Sequence, residues 1–361
     1  MGQTTTQASK EQFIERFVDA VDGAFTIYAI FLGDRLGYYR TLAEAGPLTT
    51  AQLAAETDTH ERYAREWCEQ QVVTDVLTVD DPGLPAESRR YAIPESRVEP
   101  LTDADSLDFL APLAQVFVGA AAPIEAVLAA YRTGDGVPFD AYGHEMHEGQ
   151  GRMNRAAFLH QLGQEWLPAL DDVDERLRSV GARVADVGCG HGYSAIGIAR
   201  SYPTVTVDGY DLDEASVRAA REHVAEAGLE DRVTVHQRDA AEATTDEPYD
   251  LVTAFECVHD MSDPVGVLRT MRDLAGEDGT VLVMDERVGD TFGEEADFDW
   301  MMYGWSILHC LPVGLADQPS AATGTVMRAG TLREYADAAG YDRVEVLPIE
   351  NDFFRFYRLT P

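Results

Sequence analysis

The chain has 361 residues, more than one ordinary hydrophobic core requires, and its 64 acidic and 28 basic residues give a formal net charge of −36. This charge disfavours nucleic acid and anionic membranes as partners, and because concentrated salt screens the repulsion, it predicts a protein of a salt-loving cytoplasm. Four cysteines without Cys-x-x-Cys spacing are typical of reduced cytoplasmic thiols, and we expect neither a signal sequence nor a membrane span.

Residues 1–105 are predicted to form a separate helical and winged-helix unit. Apolar residues at helical spacing over residues 11–32 exceed what one surface helix needs, which indicates a partner surface. Two short helices and then two strands follow in the order of a winged helix, over residues 47–57, 60–72, 76–79 and 90–93. In the second of these helices we expect Tyr63, Trp67 and Cys68 to face inward.

The second short helix bears on whether this unit binds DNA. In DNA-binding proteins the equivalent helix enters the major groove with basic residues that neutralise phosphates. Here three acids accompany two arginines: Glu61, Glu66 and Glu69 beside Arg62 and Arg65. Repulsion from the phosphates therefore predicts that the helix does not bind nucleic acid.

Residues 106–170 are predicted to be a helical linker with a lid. An apolar helical pattern over residues 107–131 precedes a glycine-rich loop over residues 134–144, and a further helix leads to the next domain. Its position suggests a lid over a pocket, although an ordinary connection between domains is the alternative. The candidate pocket residues are Tyr142, His144, Met153 and Asn154.

The most specific motif lies at residues 184–194, where a buried strand leads into a glycine turn and then a helix. The turn residues that could approach a ligand are Gly188, Cys189, Gly190 and Gly192. Asp186 stands two residues before the first glycine and would repel the pyrophosphate of a dinucleotide, which leaves a nicotinamide-dependent oxidoreductase as a disfavoured alternative. A carboxylate there suits a cofactor with an ammonium group. This Asp-x-Gly-x-Gly-x-Gly pattern resembles the first motif of class I S-adenosylmethionine-dependent methyltransferases.

The next two predicted strands also end at acids. Asp211, followed by Leu212, could bind a ribose diol through its two oxygens, as in nucleotide-binding βαβ units generally. Asp239 and Ala240 follow the third strand, where the resemblance implies contacts with an adenine; an ordinary helix N-cap is the alternative for Asp239. Because parallel strands end at one edge of a sheet, we expect these acids to surround one cofactor.

The fourth strand is predicted to end at Phe255 and Glu256, which we expect to line the cofactor's adenine and methionine ends. The following His-Asp-Met-Ser-Asp, residues 259–263, resembles the His-Asp-Trp-Ser-Asp of small-molecule O-methyltransferases. A phenol, with a pKa of about 10, needs a proton acceptor at pH 7, and an imidazole with a pKa of about 6.5 is suitable. The resemblance implies His259 as the general base beside Asp260; capping of the next helix or contact with the cofactor is the alternative.

Residues 171–361 are predicted to be the α/β domain that these strands begin. The remaining elements are a fifth strand, a helix and two closing strands, over residues 279–286, 331–339, 343–349 and 353–359. The resemblance implies a Rossmann-like, seven-stranded methyltransferase sheet whose last strand is antiparallel. Between the fifth strand and that helix, three large side chains could cover a substrate pocket, with core packing as the alternative: Tyr303, Trp305 and His309.

The whole chain, including residues 63–67 and 131–136, resembles a bacterial and archaeal family that joins a winged helix to a methyltransferase domain. With the charge, this implies an origin in a halophilic archaeon. It also implies methyl transfer from S-adenosyl-L-methionine to a small molecule, most simply to a hydroxyl by in-line displacement, leaving S-adenosyl-L-homocysteine and requiring no metal. In such enzymes the winged helix pairs two chains, so a homodimer is expected. A winged-helix regulator that senses the cofactor is the alternative function.

Overall fold

The computed structural model describes residues 9–293 and 297–360. The chain divides into two compact units between Val118 and Gly119. The segment predicted as a linker and lid, residues 106–170, crosses this division and is not a third unit.

The first unit combines helices with a small antiparallel sheet. Its helices are α1 (Lys10–Arg35), α2 (Tyr38–Ala45), α3 (Thr50–Glu56), α4 (Glu61–Val73) and α5 (Glu95–Thr102), and α6 (Ala111–Ala121) crosses into the second unit. The strands β1 (Leu48–Thr49), β2 (Thr78–Val79) and β3 (Arg90–Ala92) form a sheet in the order β1-β3-β2. The predicted winged helix is confirmed, with the two-residue strand β1 added to it.

Aromatic packing holds α1 against α4 in this unit. The indole of Trp67 is buried and donates a hydrogen bond to the Ala29 carbonyl at 2.8 Å. Gly33 permits this contact, since a Cβ there would lie 2.4 Å from the Trp67 ring. The prediction for Tyr63 is wrong: its side chain is 78% exposed, one helical turn before Trp67.

The other side of α1 is an exposed apolar face over its whole length. Only Ala29 and Gly33 of this helix are buried. Eight exposed residues at helical spacing form what we call the α1 face: Phe13, Ile14, Phe17, Val18, Val21, Phe25, Tyr28 and Leu32. The helix continues through Gly23 without a break.

The second unit is a seven-stranded sheet covered by helices. The strands are β4 (Arg183–Val187), β5 (Thr206–Asp211), β6 (Val233–Gln237), β7 (Leu251–Phe255), β8 (Thr280–Glu286), β9 (Arg343–Val346) and β10 (Phe354–Thr360), in the order β6-β5-β4-β7-β8-β10-β9. All neighbours from β6 to β8 are parallel, and β10 is antiparallel to both β8 and β9. The predicted Rossmann-like sheet with an antiparallel last strand is confirmed.

Helices connect the strands of this sheet. The α-helices are α7 (Ile124–Thr133), α8 (Gly143–Ala157), α9 (Asp171–Leu177), α10 (Tyr193–Ser201), α11 (Glu214–Glu226), α12 (Pro264–Ala275), α13 (Asp299–Trp305), α14 (Leu311–Gly314) and α15 (Ala329–Ala339). Two π-helical segments, Phe158–Trp166 and Ser306–Cys310, continue α8 and α13. Single 3-10 turns follow several strands, among them Ala240–Glu242 and Val258–Asp260.

The central strand β4 is buried on both faces, as expected for a parallel strand between two helical layers. Val184 joins the apolar cluster that includes α10, whereas Ala185 and Val187 join the cluster that includes α12 and α15. Because side chains alternate between the faces of a strand, Asp186 lies on the same face as Val184, beneath α10.

Among the described residues, no single helix is long and apolar enough to cross a membrane; α6 and α7 pass by length and composition only as a pair bent by 53°.

Candidate cofactor and substrate site

A cavity of about 940 Å³ opens in the second unit at the carboxyl ends of the parallel strands. This is the edge at which open α/β sheets bind ligands, and the volume lies within the range of small-molecule sites. The wall includes the glycine turn after β4, the residues that follow β5, β6 and β7, part of α8, and residues 313–317.

The glycine turn approaches the cavity closely at its first two glycines. Gly188 and Gly190 both have positive φ angles and line the cavity. A Cβ at Gly188 would lie 2.7 Å from the Cys257 sulfur, whereas one at Gly190 would meet no atom within 4 Å. Gly192 does not line the cavity and packs instead at the start of α10, where a Cβ would lie 3.0 Å from that of Ala220. The predicted cofactor contact of Gly192 is therefore replaced by a packing role.

Asp186 does not face the cavity, which contradicts the prediction that its carboxylate meets the cofactor. It is 1% exposed, and its oxygens accept hydrogen bonds from the hydroxyls of Ser194 at 2.5 Å and Thr253 at 2.7 Å. Burial raises the pKa of Asp186 to about 6, against the lowering effect of these two hydrogen bonds. Asp186 thus connects β4 to α10 and β7 inside the domain.

Asp211 stands at the cavity as predicted, at the end of β5. Its oxygens accept hydrogen bonds from the backbone amides of Gly190, at 2.8 Å, and Asp213, at 2.9 Å. Burial raises the pKa of Asp211, and the two amides oppose that effect. Each carboxylate oxygen can accept a second hydrogen bond, so the carboxylate can still receive a diol.

The other predicted cofactor residues near this end also line the cavity: Cys189, Leu212, Asp239 and Ala240. Leu212 is 64% exposed, and the Cys189 side chain packs over Gly209 of β5. The carboxylate of Asp239 accepts a hydrogen bond from the Ala241 amide at 2.8 Å, so it also caps the short turn after β6. A capping role and a place on the cavity wall coexist at Asp239.

Phe255 and Glu256 line the cavity at the end of β7. Glu256 has a φ of +54°, a left-handed conformation that is costly for a residue other than glycine. Its side chain hydrogen-bonds Asn154, but its Oε1 atom is buried and meets no hydrogen-bond partner within the described part of the chain. Burial and the nearby Glu286 carboxyl raise the pKa of Glu256.

His259 lies beside the cavity rather than on its wall, and Asp260 is the one that lines it. The His259 ring is 2% exposed, with Nδ1 at 2.8 Å from an Asp285 oxygen and 3.0 Å from a Glu286 oxygen, and Nε2 at 3.2 Å from Asp260 Oδ1. Burial alone would lower the His259 pKa, but the three carboxyls outweigh it and hold that pKa well above its ordinary value. Burial, the largest single effect, raises the pKa of Asp260, but the charge and hydrogen bond of His259, together with His309 and Cys310, lower it overall.

The five residues predicted to cover the substrate are not on the wall of this cavity: Tyr142, Met153, Tyr303, Trp305 and His309. Tyr142 and His309 pack edge to face at 4.5 Å in the core, and the Tyr142 hydroxyl donates to the Leu308 carbonyl. Core packing therefore accounts for both side chains; it was the alternative given for His309, whereas the alternative for Tyr142 was an ordinary connection between domains. The lid candidate Asn154 does reach the cavity, as do Phe139 and His147.

Two groups of side chains near His259 bring candidate metal-binding atoms within 4.8 Å of one another: His259, Asp260 and Cys310, and His259, Asp285 and Glu286. Both groups use His259, whose two nitrogens already meet carboxylate oxygens at 2.8 and 3.2 Å. A ring nitrogen that donates its proton to a carboxylate has no lone pair for a metal ion. The geometry is therefore that of a His259 imidazolium surrounded by carboxylates. That the reaction needs no metal stays a prediction.

Two family models match the chain. Residues 178–318 match a model described as a methyltransferase domain, and residues 24–103 match an Rv2258c-like winged HTH domain. The second unit carries a methyltransferase domain. The predicted enzyme class, a methyltransferase, is confirmed for this domain.

Curated relatives align only through part of their length. The ubiquinone biosynthesis O-methyltransferase of Stutzerimonas stutzeri is 29% identical over 143 residues, 40% of this chain and 58% of the relative. Methyltransferase GfsG of Streptomyces halstedii is 30% identical over 181 residues, 45% of this chain and 65% of the relative. The chain therefore spans less than two thirds of either relative.

Solved structures are similar over almost the whole chain. The mitomycin 7-O-methyltransferase MmcR is 21% identical with a TM-score of 0.68, covering 96% of this chain and 97% of its own. Human N-acetylserotonin methyltransferase, solved with S-adenosylmethionine, is 17% identical with a TM-score of 0.72, covering 100% of this chain and 99% of its own. At these identities the similarity establishes the fold.

Proposed function

We propose that this protein transfers a methyl group from S-adenosylmethionine to a hydroxyl oxygen of a small molecule. The observation that carries the proposal is the cavity in the methyltransferase domain, where the glycine turn and Asp211 stand together at the ends of adjacent parallel strands. The volume of about 940 Å³ is large enough for a cofactor beside a small acceptor.

The residues on the wall fit the parts of this cofactor. Asp211 would bind the ribose hydroxyls, since its oxygens are held by the backbone amides of Gly190 and Asp213 and retain free lone pairs. Asp239 and Ala240 would contact the adenine at the end of β6. The open backbone of Gly190 permits a ligand to approach the turn without a steric barrier.

A proton must leave the acceptor, and we propose that His259 and Asp260 receive it. When bound, the cofactor supplies an activated sulfonium methyl, whose transfer to oxygen breaks the C–S bond and frees the hydroxyl proton. Asp260 stands on the cavity wall, and His259 Nε2 lies 3.2 Å from its Oδ1 atom. His259 can act as the base only after it has lost its own proton. Because the surrounding carboxyls raise the His259 pKa, this loss occurs at a higher pH than for an ordinary imidazole.

A screen of methyl transfer tests this proposal directly. Labelled S-adenosylmethionine is offered with a library of hydroxylated metabolites, and label is expected in an ether product. A parallel titration with S-adenosylhomocysteine and NADH tests the cofactor alone. Binding of NADH in place of S-adenosylhomocysteine would refute the proposal, and full turnover by His259→Ala would remove the base from it.

We also propose that the protein is a homodimer paired through the α1 face. Eight large apolar side chains on one helix are 41–65% exposed, far more than an isolated surface helix usually presents. A second copy offers a matching apolar helix, which is the simplest cover for a surface of this length.

We propose that the protein works in a salt-rich cytoplasm and does not bind nucleic acid. All four cysteines are free, three of them buried, as expected in a reducing compartment. The two arginines of α4 are already paired, Arg62 with Glu66 at 2.5 Å and Arg65 with Glu61 at 2.8 Å. These pairs leave little positive charge for phosphates, and the net charge of −36 adds long-range repulsion.

A further inference from the structure

The inward position of Asp186 leaves the cofactor's ammonium group without its expected partner. Both Asp186 oxygens accept hydrogen bonds from buried hydroxyls, and the side chain is 1% exposed. A cationic group in a partly closed cavity needs an anionic or hydrogen-bonding partner, because desolvation of an unpaired charge is costly.

Apart from Asp211, which already accepts a hydrogen bond from the Gly190 amide, the cavity wall carries the Glu256 carboxyl at the end of β7, the strand next to β4 and its glycine turn. The next residue, Cys257, contacts the turn so closely that a Cβ on Gly188 would lie 2.7 Å from its sulfur. Glu256 lines the cavity, and its backbone is held left-handed with its amide donating to the Met284 carbonyl at 2.8 Å. Strain of this kind persists only where the surroundings impose it and is frequent at ligand sites.

One oxygen of the Glu256 side chain lacks a hydrogen-bond donor within the described part of the chain. Its Oε1 atom is buried and meets no hydrogen-bond donor among residues 9–293 and 297–360. The terminal torsion of a glutamate is soft, so either oxygen can turn toward the cavity. An ammonium group placed there would satisfy the oxygen and neutralise the carboxylate.

The charged and polar groups around Glu256 come from three elements. Glu286 at the end of β8 repels a negative charge on Glu256, as does Asp260, whereas His259 attracts it. Asn154 of α8 hydrogen-bonds the Glu256 side chain. The repulsion and the burial together outweigh the attraction of His259 and favour a proton on the Glu256–Glu286 pair before the cofactor's ammonium binds.

Resting on the function proposed above, we propose that the Glu256 carboxylate, rather than that of Asp186, receives the ammonium of the cofactor's methionine end, and that binding releases a proton from the Glu256–Glu286 pair. Cofactor affinity then depends on pH in a defined direction. Release of one proton makes the affinity rise by up to about tenfold per pH unit until the pair is ionised in the free protein.

Calorimetric titration with S-adenosylhomocysteine tests the proposal without any acceptor. Titrations run from pH 6 to 9 in two buffers of different ionisation enthalpy, which together count the protons released. The matched probe is 5′-methylthioadenosine, which keeps the adenine, ribose and sulfur but lacks the amino-acid tail. We expect release of up to one proton and rising affinity for S-adenosylhomocysteine, with neither effect for methylthioadenosine.

Variants separate the two carboxyls. Glu256→Gln should weaken S-adenosylhomocysteine binding by roughly tenfold or more at pH 8 and abolish its pH dependence, while methylthioadenosine binding, which also reports correct folding, stays unchanged. Glu286→Gln should shift the rise in affinity to lower pH, because the repulsion on Glu256 is removed. Asp186→Asn should retain the wild-type proton release.

Three results would overturn the inference alone: pH-independent binding by the wild type, an unaltered affinity in Glu256→Gln, or loss of proton release in Asp186→Asn. Equal weakening of both probes by Glu256→Gln would also overturn it, since that pattern indicates a structural role. Failure of S-adenosylhomocysteine to bind at any pH would instead remove the proposed function on which the inference rests.

Discussion

Relative to the wild type, Asp186→Asn should make the methyltransferase domain more stable above pH 6 than it does in acid. Burial raises the pKa of Asp186 from 3.8 to about 6, despite hydrogen bonds from Ser194 and Thr253. An acid with a raised pKa contributes stability that is complete below pH 3.8 and is lost as the pH rises through about 6. At about 1.4 kcal/mol for each pKa unit, that loss is about 3 kcal/mol.

Urea denaturation of wild type and Asp186→Asn from pH 4 to 7.5, at one salt concentration, measures this difference. Between these limits the free energy of unfolding should shift by about 2.4 kcal/mol in favour of the variant, because the unfolded carboxyl is already partly ionised at pH 4. Thr253→Val provides a matched test, because loss of one hydroxyl donor raises the Asp186 pKa further and moves the transition to higher pH. A constant difference between wild type and Asp186→Asn across this range would refute the reasoning.

Three further predictions concern the general base, the oligomeric state and DNA binding. Activity should rise with pH above neutrality because carboxyls hold the His259 pKa well above its ordinary value. Both His259→Gln and Asp260→Asn should lower kcat by roughly 10²- to 10⁴-fold, and a rate unchanged in both variants would contradict the assignment of the base. In light scattering after gel filtration, Phe17→Glu with Phe25→Glu should give a monomer, whereas Val180→Glu, at a residue 91% exposed outside the α1 face, should leave the dimer intact. A gel-shift assay at high salt should show no complex with duplex DNA, and a specific shift would favour the regulator instead.

The parallel strands of the second unit were predictable from the sequence because each is a short run with mainly apolar or alternating apolar residues. Strand β4 matches the predicted residues 183–187, and β8 differs by a single residue from the predicted 279–286. The strand β1 was not predictable, since two residues carry no periodic signal. Pairing with β3 creates it.

The site was predictable only where chain position decides which way a side chain points. Asp211 and Glu256 come at or just after the ends of their strands, so they reach the sheet edge with the backbone. Tyr142 and His309 depend instead on helix packing and a π-helical segment, which spacing in one sequence does not reveal. Their aromatic character indicates burial equally well in a core or in a pocket.

The motif that contains Asp186 correctly predicted a methyltransferase domain, although the Asp186 side chain points into the domain, and the strand geometry explains why. Asp186 is the last residue but one of β4, so the alternation of side chains turns it beneath α10 rather than out of the sheet edge. There it receives hydroxyl hydrogen bonds from Ser194 at the start of α10 and from Thr253 on β7, and so it fixes where the helix begins relative to the two central strands. Asp186 therefore holds elements together inside the domain, and under our proposal the ammonium of the cofactor is received instead by Glu256 at the end of β7.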